Sequence, residues 1–166
     1  MLQAPNSACR TAMTYPVRTQ ARALIVNAGQ IALVRVRKNG VERWVLPGGG
    51  QDAGEALTTT VRRECFEELG LAVEVGDLCL VREFVPDNHD LSLMPFSVQC
   101  IDFIFRCAPI GATDLHLGAL PDNEAVEARW IDIASALNLP LYPHALREWL
   151  PVALQGDRIH YLGDTP

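Results

Sequence analysis

The fold is decided by one stretch, LPGGGQDAGEALTTTVRRECFEELGLAV, which covers residues 46–73. Pro47 and the three glycines after it end a short predicted strand and form a turn. A helix is predicted to begin between Asp52 and Thr58 and to end just before Gly70, the expected left-handed C-cap. A glycine turn that leads directly into a helix is therefore the first prediction from this sequence.

Acidic side chains crowd one face of this helix. With 3.6 residues per turn, Glu64, Glu67 and Glu68 share a face. Like charges at this spacing repel by about 0.2–0.5 kcal/mol per pair, and one neighbouring cation, Arg63, cannot neutralise all of them. A hard divalent cation such as Mg²⁺ would neutralise these carboxylates, because it prefers carboxylate oxygens together with substrate phosphates as ligands. On these glutamates alone, a solvated acidic surface is the alternative interpretation.

The adjacent face of the helix is apolar. Val61, Cys65 and Leu69 are spaced four residues apart and are predicted to face the core. Phe66 is expected at the edge of the same buried stripe. The helix is thus predicted to pack on a sheet through one face while a neighbouring face carries its carboxylates.

The stretch also fills a longer spaced pattern, G-x5-E-x7-R-E-U-x-E-E-x-G-U, in which U is a bulky apolar residue. Its positions are occupied by Gly49, Glu55, Arg63, Glu64, Glu67, Glu68, Gly70 and Leu71. This pattern resembles the Nudix box, the signature of the Nudix hydrolase family. The one departure is Cys65 at the first U, a position that usually holds Ile, Leu or Val. Because cysteine behaves as a small hydrophobe, it is expected to loosen packing without changing the chemistry.

The flanking sequence favours an α+β fold, an α/β/α sandwich with a Nudix-like mixed β-sheet flanked by helices. Strands are predicted over 21–27, 30–37, 43–46, 72–75, 78–85, 97–107 and 126–132, a helix over 143–154 and a last strand within 158–162. Asn27-Ala28-Gly29 is a good hairpin turn between the first two strands. Residues 19–166 are predicted to form a single Nudix domain.

A flexible leader is predicted over residues 1–18. The first 41 residues carry six basic side chains and no acidic one, and the leader contains two of the six, Arg10 and Arg18. These two are interpreted as part of a basic tail. The alternative is that they meet an anionic substrate.

The resemblance implies that the protein hydrolyses a nucleoside diphosphate linked to another group, with water attacking phosphorus in the presence of Mg²⁺ or Mn²⁺. It implies that Glu64, Glu67 and Glu68 are metal ligands and that Glu64, or an acid outside the pattern, helps to deprotonate the water. Glu55 and Arg63 are expected to act with them by orienting the helix. The resemblance does not decide which acid is the base.

Residues before the helix are candidates for substrate binding. Gly48 and Gly49 let the backbone turn tightly beside the helix. Arg35 and Arg37 are predicted to bind a phosphate of the substrate, since the planar guanidinium fork matches phosphate oxygens. Arg43 belongs to the same basic segment before the glycines.

Acids outside the pattern are weaker candidates for an extra ligand or a base. Glu127 begins the run EARWI, with Glu124 and Asp122 just before it. The resemblance points to this region, and Glu127 is the predicted catalytic residue there. The alternative is that these acids belong to a surface loop beside a strand. Glu83, in a predicted strand, is a weaker candidate for a ligand or a base than Glu127.

The sequence narrows the range of candidate substrates without identifying one. Pro86 lies fifteen residues after Leu71, close to where a proline marks some ADP-ribose pyrophosphatases of this family. A nucleotide sugar such as ADP-ribose is therefore the leading prediction, and a housecleaning nucleoside triphosphate pyrophosphohydrolase is the alternative. The third candidate function is that of a non-catalytic regulatory module that binds nucleotides.

Composition excludes several other classes. The net charge of −6 argues against a stable nucleic-acid partner, because such binding needs phosphate neutralisation. No apolar run approaches the roughly 20 residues of a membrane span. The five cysteines are odd in number and contain no CxxC pair, which favours free thiols and a cytoplasmic location. A homodimer is compatible with the resemblance, since many family members pair.

Overall fold

Nine strands and three helices make up the part of the chain that the structure, a computed structural model, describes: residues 15–89, 98–117, 124–156 and 158–165. The strands are β1 (Val17–Asn27), β2 (Gln30–Lys38), β3 (Val41–Val45), β4 (Gly48–Gly50), β5 (Val73–Phe84), β6 (Gln99–Pro109), β7 (Ala125–Asp132), β8 (Leu141–Tyr142) and β9 (His160–Asp164). The helices are α1 (Leu57–Leu69), α2 (Ile133–Ala136) and α3 (Leu146–Gln155).

The strands form one mixed sheet in the order β8-β3-β2-β1-β6-β5-β9, with β4 added on β1 and β7 on β2. The predicted hairpin turn is confirmed, since Ala28 and Gly29 join β1 to β2 with positive φ angles of 47° and 80°. β1 pairs with β2 only through Val26 and Asn27. Its earlier residues pair in parallel with β6 and antiparallel with β4. β1 therefore diverges from β2 toward its start, and β4 lies where the two strands separate.

A hydrophobic core lies on each face of the sheet. Along β2, Ile31 and Leu33 belong to the core that contains the buried residues of α3, whereas Ala32 and Val34 belong to the core that contains those of α1. This alternation follows from the period of two in a strand. The predicted α/β/α sandwich is confirmed.

Helix α1 follows the predicted helix closely. It ends at Leu69, and Gly70 is left-handed with φ 66°. The Leu71 N–H donates to the Cys65 carbonyl oxygen at 3.3 Å, which satisfies a carbonyl of the last turn. The prediction that Phe66 faces the core is wrong, because its side chain is 66% exposed. The buried stripe widens instead toward Thr60, on the side of the helix that carries the glutamates.

Several elements differ from the predictions, and three of the differences concern β1, β4 and β5. The strands predicted over 72–75 and 78–85 are one strand, β5 (Val73–Phe84), because the sheet absorbs the segment around Gly76 as a register shift. The glycines 48–50 pair with β1 as a strand instead of only ending one. Val17 and Arg18, predicted as part of the leader, belong to β1. Residues 1–14 of the predicted leader lie outside the described residues.

Of the helices described, none is long and apolar enough to cross a membrane.

The start of α1 lacks a side-chain cap. Ala56 occupies the N-cap position in extended conformation, with φ −79° and ψ 149°. Its carbonyl oxygen accepts from the Thr59 N–H at 2.9 Å, but its side chain has no atom that can accept an N–H of the first turn. We expect Ala56→Ser to raise the free energy of unfolding by about 0.5–1 kcal/mol, since serine accepts such a bond. Urea unfolding measures the change. Ala108→Ser, at an exposed alanine of β6, is the matched control and is expected to give no gain. An equal effect of both substitutions would show that capping is not the cause.

Candidate active site

A cavity of about 440 Å³ lies beside β4 and α1. Its walls combine a glycine strand, carboxylates and basic side chains. The lining residues used below are Arg18, Gln20, Arg22, Lys38, Arg43, Gly48, Gly49, Gly50, Arg63, Glu64, Glu67, Glu68, Glu124 and Tyr142. The three glutamates predicted to bind metal and both glycines predicted to bind substrate therefore share one cavity.

Arg63 connects helix α1 to the loop before it. Its Nε and Nη2 donate to the two carboxylate oxygens of Glu55 at 2.9 and 3.1 Å. Nη2 also donates to the Gly50 carbonyl oxygen at 3.0 Å. Nη1 donates to Glu64 at 2.8 Å and to Glu67 at 3.1 Å. One guanidinium thus links the loop, β4 and two of the glutamates. These are the contacts that the predicted orienting role of Arg63 and Glu55 needs, and the role itself stays a prediction.

The remaining glutamate holds the glycine strand. Glu68 Oε2 accepts a hydrogen bond from the Gly48 N–H at 2.8 Å. A Cβ on Gly48, where φ is 136°, would lie 2.3 Å from the Ala21 carbonyl oxygen. A Cβ on Gly49 would lie 2.6–2.8 Å from the Glu64 carboxylate. Gly48 is therefore required for β4 to pack this closely against β1, whereas a side chain at residue 49 would displace the Glu64 carboxylate.

The donor set fits a hard divalent cation. The carboxylates of Glu64, Glu67 and Glu68 line one cavity, and oxygen is the ligand type that Mg²⁺ and Mn²⁺ accept. As placed, Glu64 and Glu67 are turned toward Arg63, and Glu68 toward the Gly48 N–H. Accordingly, among the residues described, no three acidic, histidine or cysteine side chains stand close enough to hold a metal without rearrangement. Binding an ion would require at least two carboxylates to exchange these partners.

Glu55 has a strongly altered acidity. The hydrogen bonds from Arg63 and from the Thr60 hydroxyl, the latter at 2.8 Å, lower the pKa of Glu55 to about 2 from an ordinary 4.5. Thr60 is fully buried and donates to the same carboxylate oxygen as Arg63 Nη2. The Glu55 carboxylate therefore stays ionised in the folded protein at any pH above about 3.

This shift predicts a pH dependence of stability. Because the pKa of Glu55 is lowered by folding, its ionised form stabilises the fold above pH 4.5, and this contribution is lost as the pH falls toward 2. We expect Glu55→Gln to unfold more easily than the unsubstituted protein at pH 7, with a difference that shrinks between pH 4.5 and pH 3. Urea midpoints at a series of pH values measure it. Glu74→Gln, at an exposed position of β5, is the control. A pH-independent difference for Glu55→Gln would contradict the role of its charge.

Basic side chains line the other part of the cavity. Arg22 donates to Asp102 at 3.0 Å and to the Leu46 and Gly48 carbonyl oxygens. Lys38 pairs with Glu124 at 2.8 Å. Arg22 and Lys38 are therefore both held in place by acidic or carbonyl groups of the protein.

Arg43 and Arg18 complete the basic wall. The guanidinium carbon of Arg43 lies 4.9 Å from the ring centroid of Tyr142, a cation–π contact. Arg18 lies against β4, where a Cβ on Gly50 would be 2.2–2.5 Å from its guanidinium. Because Arg18 belongs to β1, its interpretation as part of a tail is wrong. The alternative, that it meets an anionic substrate, stays a prediction.

Four predicted site residues do not line the cavity: Glu55, which is linked to it through Arg63, and Arg35, Arg37 and Glu127. Arg35 pairs with Glu42 at 2.9 Å and with Glu127 at 2.8 Å, and Arg37 also pairs with Glu42. In β2, the cavity is lined instead by Val36 and Lys38, which alternate with these arginines. Because successive strand residues point to opposite faces, Arg35 and Arg37 lie on the wrong face for the cavity.

The acid brought to the cavity is Glu124 rather than Glu127. Glu127 stands opposite Arg35 in the pairing of β7 with β2, and the register shifts directly after that pair. Glu83 accepts a hydrogen bond from the exposed Tyr161 hydroxyl at 2.6 Å, away from this wall. Asp122 lies outside the described residues. The predicted catalytic role of Glu127 stays a prediction that its position does not favour.

Sequence reasoning missed Gln20, Arg22, Lys38 and Tyr142 as lining residues and considered Arg18 only as an alternative. The signal available for Arg18, Gln20 and Arg22 was their alternation along β1, which places them on one face of that strand. No local sequence pattern marks Tyr142 as a lining residue. It reaches the cavity because β8 pairs with β3.

Comparisons with known proteins agree with this fold and cavity. The model of the NUDIX domain family matches residues 16–153. A nucleoside diphosphate-linked moiety X motif 6 protein of Xenopus laevis is 28% identical over 120 residues, 72% of this chain and 51% of that protein. The chain spans about half the length of the curated relatives it matches.

Solved structures share the fold. A NUDIX hydrolase from Nitrosomonas europaea has a TM-score of 0.69 at 19% identity, with 95% of this chain and 84% of that chain covered. A UDP-X diphosphatase has a TM-score of 0.64 at 25% identity, with 93% of this chain and 70% of that chain covered. The similarity extends well beyond the helix and the glycine strand.

Proposed function

The chain belongs to the NUDIX domain family, and from this we propose that it is a hydrolase that cleaves a pyrophosphate bond in a nucleoside diphosphate derivative with the aid of a divalent metal ion. The observation that carries the proposal is the cavity in which Glu64, Glu67 and Glu68 meet a glycine strand and basic side chains. Mg²⁺ is the proposed ion, with Mn²⁺ as the substitute.

The proposed mechanism assigns each group a task. Glu64, Glu67 and Glu68 would hold the ion, which supplies charge neutralisation and lowers the pKa of bound water. Arg63 positions two of these carboxylates and, with Glu55, fixes the helix against β4. Phosphoryl transfer asks a protein mainly for positioning and charge compensation, which matches what these residues provide. A carboxylate of the cavity takes the proton of the attacking water, and Glu64 is the first candidate.

A nucleotide sugar such as ADP-ribose is the leading substrate class. The similar proteins named for a nucleoside diphosphate-linked moiety and for UDP-X support a nucleoside diphosphate bonded to a variable group. Pro86, the residue that suggested ADP-ribose, is buried at the start of a 3₁₀ turn after β5. A nucleoside triphosphate is the second candidate, favoured by the basic wall of the cavity, because triphosphates carry more negative charge.

A substrate panel tests the proposal. ADP-ribose, other nucleotide sugars, dinucleoside polyphosphates and nucleoside triphosphates are incubated with the protein and Mg²⁺ or Mn²⁺, and phosphate is measured after added phosphatase. Cleavage of ADP-ribose is expected to give AMP and ribose 5-phosphate, as water adds to one phosphorus and the bridging oxygen leaves with the other. Absence of cleavage for every compound would contradict the proposal. Nucleotide-dependent melting shifts without cleavage would favour a binding module.

A further inference from the structure

A row of charged side chains crosses three strands of the sheet and ends at the cavity. Arg82 of β5 stands opposite Asp102 of β6, which stands opposite Gln20 of β1. Asp102 Oδ2 accepts from Arg82 Nη1 at 2.8 Å, and Asp102 Oδ1 accepts from Arg22 Nε at 3.0 Å. Asp102 is 2% exposed and Arg82 is 3% exposed, a degree of burial that charged groups reach only when they are paired. The row therefore joins the interior of the sheet to Arg22 on the cavity wall.

All three nitrogens of the Arg22 guanidinium donate to groups of the protein. Nε donates to Asp102, and Nη2 donates to the Gln20 side-chain oxygen at 2.6 Å. Nη1 donates to the carbonyl oxygens of Leu46 and Gly48 at 3.2 and 3.3 Å. Because its donors are engaged in this way, Arg22 is placed to hold the backbone that leads into β4.

The peptide unit between Pro47 and Gly48 is held at both ends. Its carbonyl oxygen accepts from the Ala23 N–H at 2.9 Å, and its N–H donates to Glu68 Oε2 at 2.8 Å. Since a peptide unit is planar, the direction of its N–H follows that of its carbonyl. Arg22 holds the next carbonyl along the chain, that of Gly48. A shift of Arg22 would therefore move the N–H that orients Glu68.

We propose that Asp102 is a positioning residue for the reaction, because by holding Arg22 it keeps the Gly48 N–H directed at Glu68. This deepens the proposed function, on which it rests, since Glu68 is a proposed ligand of the metal ion. Asp102 lies on β6, far along the chain from the spaced pattern of helix α1. A positioning role differs from a merely structural one in its consequence: the loss of Asp102 changes Gly48 and Glu68 beyond any change in global stability.

The test variants are chosen to keep the protein folded. Removal of Asp102 alone would leave Arg82 without its buried counter-charge and would strongly destabilise the fold. Asp102→Val combined with Arg82→Met removes one negative and one positive charge together, and apolar residues of similar size replace buried ion pairs well. Arg82→Met alone is the matched control, since it removes the buried arginine and leaves the bond between Arg22 and Asp102. Arg22→Met breaks the same link from its other end and leaves the pair of Arg82 with Asp102.

Hydrogen exchange of the Gly48 amide, measured by NMR in the absence of metal, reports on the link directly. The amide of Leu33, a residue buried in β2, serves as the reference for global unfolding. Relative to this reference, the Gly48 amide is expected to exchange about tenfold faster in the double variant and in Arg22→Met, which corresponds to the loss of one hydrogen bond. Arg82→Met should leave the ratio of the two exchange rates unchanged.

Calorimetry of Mn²⁺ binding extends the test to the proposed metal site. The double variant and Arg22→Met are each expected to bind Mn²⁺ about tenfold more weakly than Arg82→Met does, the scale found when a group that orients a metal ligand is lost. Arg82→Met should bind Mn²⁺ like the unsubstituted protein.

The outcomes separate the two proposals. An unchanged ratio of Gly48 to Leu33 exchange in the double variant overturns the positioning role of Asp102. A loss of Mn²⁺ affinity in Arg82→Met as large as in the double variant overturns it as well, since the link to Gly48 is intact in Arg82→Met. Failure of the unsubstituted protein to cleave any compound of the substrate panel overturns the proposed function, while the metal-free exchange comparison still decides whether Asp102 positions Gly48.

Discussion

Glu68→Gln is expected to lower kcat by roughly 10²- to 10³-fold, a loss of about 3–4 kcal/mol of transition-state stabilisation. The physical reason is charge. The substitution removes one of the three carboxylates proposed to hold the metal ion. It leaves the anchor of β4 in place, because the amide oxygen of glutamine still accepts the hydrogen bond that Glu68 receives from Gly48. The fold should therefore survive while the chemistry fails.

Two measurements separate this result from damage to the fold. Without metal, Glu68→Gln should melt at or slightly above the temperature of the unsubstituted protein, since a repulsive carboxylate is gone. With millimolar Mg²⁺, the unsubstituted protein should gain stability, because the ion binds only the folded site, and Glu68→Gln should gain less. Glu148→Gln, at an exposed glutamate of α3, is the matched control and should behave like the unsubstituted protein. Near-normal turnover in Glu68→Gln would remove Glu68 from the metal site.

Helix α1 was predictable because its signals are local. The spacing of Val61, Cys65 and Leu69 marks the buried face, and Gly70 marks the end. Each of these features depends on residues within a few positions of one another, so the sequence carries them directly. The spaced pattern of carboxylates on the same helix identified the candidate site for the same reason.

The rest of the cavity depends on which strands pair and in what register. Arg18 reaches β4 because β1 turns away from β2 and pairs with β4 and β6, which no local pattern indicates. Glu124 replaces Glu127 at the cavity because the register of β7 against β2 shifts after Arg35. Such shifts are decided by packing across the sheet, and a change of one residue moves a side chain to the other face.

The glycine strand is the clearest case of tertiary structure overriding propensity. Glycine is disfavoured in strands, so residues 48–50 were predicted as a turn. The backbone of β4 is held in the sheet by side chains of other elements: Glu68 accepts from the Gly48 N–H, Arg22 donates to the Gly48 carbonyl, and Arg63 donates to the Gly50 carbonyl. These bonds replace the packing that strand side chains would normally provide.

Arg63→Ala is expected to lower the free energy of unfolding by roughly 2 kcal/mol, the scale of lost hydrogen bonds to charged groups, and kcat by about 10²-fold. The substitution removes the bidentate bond to Glu55, the bond to the Gly50 carbonyl and the contacts with Glu64 and Glu67. The carboxylates then repel one another with one cation fewer to offset their charge, and β4 loses one of its links to α1. Misplacement of the glutamates relative to the substrate accounts for the loss of turnover.

Arg63→Lys distinguishes position from charge. Lysine keeps the positive charge, but its single ammonium group cannot reproduce the planar fork that binds Glu55 through two nitrogens. We therefore expect Arg63→Lys to recover part of the stability measured by urea unfolding and little of the turnover. Arg62→Ala, at the exposed neighbouring arginine, is the matched control and should retain both. If Arg63→Lys were as active as the unsubstituted protein, Arg63 would act through its charge alone, and the geometric role assigned to its guanidinium would be wrong.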